Sequence, residues 1–212
     1  MSFQWVIDNA ESISVVKRPV VSQTVSRDQT VRSVSRGGNV WRFTVKMPQT
    51  MLWESSRGFL ESFEHNALTK SQPINFAKST YDWITKYRGD ATSTTTMTWK
   101  YNAAQAASNA MKFDLGNVPG ATGSVVFRAG DLVQPTGSNR VYSVVSLTTK
   151  SATTTLVEVH RTILETPSDT AVTLKVGPAV SWNVICTQLP TWTLSGKGLI
   201  DINGNFEFQE VL

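Results

Sequence analysis

Catalysis needs side chains that move protons, hold metals or attack electrophiles, and this sequence is sparing with them. Its two histidines are His65 and His160, and its single cysteine is Cys186. His65 falls in a stretch of helical periodicity and His160 in a strand-like run. Neither has a second ligand at metal-site spacing, so each reads as an ordinary structural histidine. Cys186 follows Val184 and Ile185 and reads as a small core residue. A Cys186–His160 pair is the one nucleophilic arrangement this inventory allows, with nothing in the spacing to favour it. Carboxylates such as Glu61 and Glu64, or Asp201 and Glu207, could serve a glycosidase but read as solvated surface acids. The glycines at 116, 120 and 123 open a β region and not a helix, so no phosphate-cradling loop is expected there. No cofactor and no metal are expected, and an enzyme is the weakest reading.

The chain is better supplied with groups that make contacts. Of its 20 Lys/Arg and 16 Asp/Glu, residues 1–46 hold 7 basic against 3 acidic, and the remaining 13 and 13 balance. Lys17, Arg18, Arg27, Arg32 and Arg36, with Arg42 and Lys46, are expected either to solvate the face and tip of a hairpin or to meet an acidic protein surface. Contact with nucleic acid is a third reading, with affinity falling steeply as salt rises. The tryptophan count is 7. Trp41, Trp53, Trp99 and Trp182 fall on apolar faces and are expected in the core. Trp5 and Trp192 are less constrained and complete, with Lys17, Arg18, Arg27, Arg32 and Arg36, a candidate assembly interface.

These residues sit on a chain whose patterning is mainly β, an α+β fold with sandwich- or barrel-like strands. Trp41, Phe43, Val45 and Met47 alternate with Arg42, Thr44 and Lys46, the period of a half-buried strand. Arg36-Gly37-Gly38-Asn39 is expected to turn that strand back on one running through Val25 to Val34, as a long N-terminal hairpin. Leu52, Trp53, Ser56, Phe59, Leu60, Phe63 and Ala67 recur at helical spacing and predict an amphipathic helix over about 50–67. Met97, Trp99 and Tyr101 predict a further strand, and Asn102 to Ala110 is either a short helix or a loop. The turn-rich Gly116–Ser124 stretch suggests a boundary, giving an N-terminal region 1–115 and a C-terminal β domain 116–212. Strands are expected there near 125–134, 141–149, 153–160, 171–176, 180–187, 191–195, 198–202 and 205–211. Asn203-Gly204 is the strongest signal for a tight hairpin.

One cysteine excludes an internal disulfide, and no apolar run approaches the length that spans a bilayer or forms a leader core. A soluble protein of a reducing compartment is the expectation, without membrane contact.

Two stretches carry a resemblance. The first runs Gly37-Gly38-Asn39-Val40-Trp41-Arg42-Phe43-Thr44-Val45-Lys46-Met47-Pro48 into Leu52-Trp53-Glu54-Ser55-Ser56-Arg57-Gly58-Phe59-Leu60-Glu61-Ser62-Phe63. The second runs Arg128-Ala129-Gly130-Asp131-Leu132-Val133-Gln134, then Arg140-Val141-Tyr142-Ser143-Val144-Val145, then ends in Phe206-Glu207-Phe208-Gln209-Glu210. In this order they resemble the small tail and baseplate proteins of tailed bacteriophages, around tail-tube ends and distal tail hubs. The resemblance implies a virion structural subunit without a cofactor, assembled in the host cytoplasm. It also implies a ring of like subunits, typically a hexamer, that contacts neighbouring tail-tube or baseplate subunits. Independently of it, a β-rich module that binds carbohydrate or a host surface is the alternative reading.

Overall fold

The computed structural model describes residues 3–17, 21–25, 27, 31–35 and 39–212, with the backbone alone for strands 21–25 and 31–35. The fold is mainly β with three α-helices among the described residues. It divides into two compact units, one built from residues 1–72 and 184–212 and the other from 73–183. The expected boundary near 116 therefore falls inside a unit. The turn formers from Gly116 to Ser124 connect strands of one body, because turn chemistry marks a change of direction and not a change of core.

The first unit opens with α1 (Gln4–Asp8), β1 (Ser12–Val16), β2 (Val21–Val25), β3 (Val31–Ser35) and β4 (Arg42–Lys46). The alternation in β4 works as expected, with Phe43 and Val45 buried and Arg42 and Lys46 exposed. Its hairpin partner differs from the expected one. β4 pairs antiparallel with β1, from Ser12 opposite Lys46 to Val16 opposite Arg42. Within that loop β2 pairs with β3, from Val21 opposite Ser35 to Val25 opposite Val31. A long hairpin is present, but its reversal lies between residues 25 and 31. Residues 36–38, taken for the turn, are outside the described residues. Two antiparallel pairs nested in one loop satisfy more backbone groups than a single turn at 36–39 would.

After Pro48 come β5 (Thr50–Leu52) and α2 (Trp53–Asn66). The helix starts three residues later than its periodicity suggested, because Thr50, Met51 and Leu52 pair with Asp201, Ile200 and Leu199. Tertiary pairing overrides helical spacing at an end where the helix has no side-chain cap. Ser56, Leu60 and Phe63 are buried along its inner stripe, followed by Ala67.

β6 (Gln72–Ile74) leads into the second unit, which contains β7 (Thr98–Tyr101), α3 (Ala103–Ser108), β8 (Lys112–Gly116), β9 (Val125–Phe127), β10 (Leu132–Pro135), β11 (Tyr142–Ser143), β12 (Thr148–Thr149), β13 (Thr155–Glu158) and β14 (Ser168–Val176). The ambiguous run after Tyr101 is helical, since Asn102 and Gln105 form a reciprocal capping box with bonds of 2.9 and 3.0 Å. Six strands follow the order β11-β10-β14-β7-β8-β13. A bridge between Val144 and Val159, and the bond from His160 N–H to Ser143 O, join the two ends. The sheet thus curls back on itself around Met97, Trp99, Phe113, Phe127, Val133, Tyr142, Val157 and Leu174. Trp99 stacks on Phe113 at 3.8 Å between centroids.

The chain returns through β15 (Trp182–Gln188) and closes with β16 (Thr191–Ser195), β17 (Leu199–Asn203) and β18 (Phe206–Glu210). In the first unit β1, β4, β18 and β15 lie side by side, and a second sheet runs β16-β17-β5. The tight hairpin expected at Asn203-Gly204 is absent: β17 pairs with β16 and β5, while β18 pairs with β4 and β15. Gly204, at φ 99°, passes the chain from one sheet to the next. Ile200 and Ile202 are buried in one sheet, Phe206 and Phe208 in the other. The tight reversal is at Gly196-Lys197-Gly198, where Lys197 and Gly198 take φ of 63° and 71° and join β16 to β17.

Phenylalanines hold the first unit together. Phe3 lies 5.6 Å from Phe63 and 5.0 Å from Phe208, and Phe63 lies 5.3 Å from Phe206. Phe63→Ala is expected to cost this unit about 3–5 kcal/mol, the transfer loss plus an unfilled cavity. Hydrogen exchange of the β4 and β18 amides measures it, and unchanged protection there would show that the cluster is not the core.

Candidate assembly surface

β2 and β3 form a two-stranded sheet, and neither pairs with any other described strand. Both outer edges of this ribbon therefore present unpaired backbone groups. Of the basic residues assigned to it, Arg27 lies between the strands and is exposed. Arg32 lies on β3, where only the backbone is described, and Arg18 and Arg36 are outside the described residues. Lys17, at the base, lies over the Trp41 ring with its ammonium 5.2 Å from the centroid. Burial lowers its pKa, so it covers an indole in addition to carrying charge. Lys46 pairs with Glu11 at 2.8 Å in an exposed ion pair worth little stability.

The face of the β1-β4-β18-β15 strands opposite the phenylalanines is polar. Thr44 stands opposite Glu207 and Arg42 opposite Gln209, and with Val16 and Thr187 they line a shallow concavity of about 360 Å³. In the same unit, β16 is an edge strand of the second sheet, with the sequence TWTLS and no charge. Trp192 is half-buried there, and Leu194 is 67 % exposed. The other tryptophan assigned to the interface, Trp5, stacks on Phe59 at 4.7 Å and docks α1 on α2. The sequence reading passed over Trp83, which is 65 % exposed in the short 3₁₀ turn Asp82–Ile84 of the second unit. No periodicity marks that turn, so only coordinates could single it out. Trp41, Trp99 and Trp182 are buried as expected, while Trp53 is only half-buried.

His65 is exposed in the last turn of α2. Nδ1 of His160 accepts the Ser143 N–H at 3.0 Å and so stitches the closure of the curled sheet. The Cys186 thiol is buried and donates to the Gln188 carbonyl at 3.1 Å, and burial pushes its pKa up to about 11. Among the described residues no group of three or more His, Cys, Asp or Glu is placed to hold a metal ion. No helix among them is long and apolar enough to cross a membrane.

Two polar networks in the second unit were not legible as sites. Asp131 is buried, and its Oδ1 accepts the Arg88 N–H at 3.1 Å while its Oδ2 accepts the Arg128 N–H at 2.8 Å. The Arg88 Nε lies 3.5 Å away, and Arg128 reaches Asp90 at 3.3 Å. This carboxylate ties two chain segments together through their backbones. In the other network, Glu165 accepts from Ser138 Oγ at 2.6 Å and from the Tyr142 hydroxyl at 3.2 Å, with Arg140 at 3.5 Å. Tyr142 in turn accepts the Leu164 N–H at 3.1 Å, and burial holds its phenol well above the usual range.

Comparison of the sequence with protein-family models and with curated proteins returns no match.

Two outcomes follow from these contacts. Asp131→Asn leaves a buried backbone N–H facing an amide nitrogen and is expected to cost about 1–3 kcal/mol, read from the denaturant midpoint. Cys186 should resist a neutral thiol reagent in the native protein and react fully in denaturant; rapid native labelling would contradict its burial.

Proposed function

We propose that this chain is a non-enzymatic virion structural protein, a ring-forming subunit of a bacteriophage tail or baseplate that joins the tail tube to the baseplate. The observation that carries the reading is the β2–β3 ribbon, which continues out of the β1–β4 pair and pairs with no other described strand. A lone two-stranded hairpin is marginally stable in water, and its open edges are templates for another strand. A neighbouring subunit meets both needs, and a head-to-tail contact of this kind closes into a ring.

Other features support the same reading. β16 offers an uncharged edge with an exposed leucine, the kind of edge a monomer ordinarily blunts with charge or proline. The polar sheet face around Arg42, Thr44, Glu207 and Gln209 suits a wet contact of the kind transient assembly uses. The two stretches that resemble phage tail proteins coincide with structural elements, β4 and α2 in one, β10, β11 and β18 in the other. The excess positive charge of residues 1–46 favours an acidic surface on the adjoining ring.

Light scattering across a range of concentration, with and without tail-tube protein, tests the proposal. The expected outcome is a ring, or a monomer that joins tube ends. A variant with residues 20–36 replaced by a short glycine-containing turn should retain its circular dichroism spectrum and lose assembly. A native chain that stays monomeric and ignores tube protein would overturn the proposal.

A further inference from the structure

The second unit contains a groove of about 320 Å³ that the assembly reading does not use. Its origin is a register change. Ser168 stands opposite Tyr101 and Val172 opposite Trp99, so β14 spends three residues where β7 spends only Lys100. Bulges of this kind re-aim side chains and break pairing, often next to binding sites. Trp99, Tyr101, Val172 and Pro135 form an apolar floor, and Trp99 also stacks on Phe113.

The rim is made of hydroxyls from Thr136, Ser138, Thr166, Ser168 and Thr170, and of one carboxylate, Glu165. Glu165 is positioned before any ligand arrives, by Ser138, Tyr142 and Arg140. Each carboxylate oxygen has two acceptor sites, so three donors leave capacity for a ligand hydroxyl. No lysine or arginine is among the groove's lining residues, and the guanidinium of Arg140, 3.5 Å from Glu165, is already engaged by that carboxylate, so a phosphate or other anion would meet the acid without an uncommitted cation in the lining. Asp169, next to the lining residues Ser168 and Thr170 in sequence, is not itself in the lining; its side chain is 89 % exposed and pairs with Lys100 at 3.6 Å. The groove thus lacks the paired carboxylates of glycoside hydrolysis.

An apolar floor, a hydroxyl rim and one pre-oriented acceptor match a molecule with one C–H face and many hydroxyl donors. We infer that this groove binds a neutral saccharide unit, without cleaving it. The inference is independent of the ring proposal and concerns a different unit of the chain.

Saturation-transfer NMR observed on the sugar suits this question, because it works at any oligomeric state. Glucose, galactose and N-acetylglucosamine would each be tested with the full chain, and inorganic phosphate would be titrated separately by calorimetry. At least one sugar is expected to show saturable transfer with a dissociation constant on the order of millimolar, and phosphate to show no heat. Thr170→Arg, at an exposed rim position, should abolish transfer without changing the melting temperature. Glu165→Gln should weaken binding about tenfold or more. Absence of transfer from all three sugars, equal transfer in Thr170→Arg, or binding of phosphate in their place would overturn the inference.

Discussion

The packing of Phe3 and Phe63 against Phe206 and Phe208 is the contact on which the first unit depends. These rings come from the first described residues, the one long helix and the last strand. Burying them requires β18 to lie between β4 and β15, so the two ends of the chain become one body around a central insertion. The contact also fixes where β4 emerges and hence where the ribbon begins. Apolar burial thereby positions the base of a ribbon that pairs with no other described strand.

The second unit is held differently. Its six-stranded sheet curls back on itself and fills with large rings, and its loops are pinned by buried polar groups as well as by apolar contacts such as those of Ile163 and Tyr87. Asp131 accepts backbone N–H groups from two segments, and His160 does the same for Ser143 across the closure. A buried acceptor with its donors in place specifies one loop arrangement, because every alternative strands a polar group without water. The same economy of loops leaves the bulge in β14 as the point where the sheet opens into a groove. The proposed assembly surface and the groove thus belong to different units and rest on different physics, backbone edges in one case and side-chain hydroxyls in the other.

Much of this was legible in the residues. Period-two alternation located β4 and β7, and three- and four-residue spacing located α2, because burial on one face imposes those periods directly. The runs 125–134 and 141–149, each expected as one strand, are instead β9 with β10 and β11 with β12, and each run divides between two sheets because its two halves find different partners. The poverty of histidine and cysteine and the concentration of positive charge in residues 1–46 are likewise properties of the sequence alone. Pairing was not legible. Phe206 and Phe208 mark an inward face, but nothing local says that their strand joins β4 and β15 and leaves the strand just before it to another sheet. Asn203-Gly204 bends the chain equally well in a hairpin or in a crossover. Thr50–Leu52 carries helical spacing yet lies in a strand because β17 offers it partners. The discontinuous first unit, the register change that opens the groove, and the setting of Glu165 among Ser138, Tyr142 and Arg140 all depend on residues far apart along the chain. Local periodicity reports which side of an element is buried; only the folded chain decides what it is buried against.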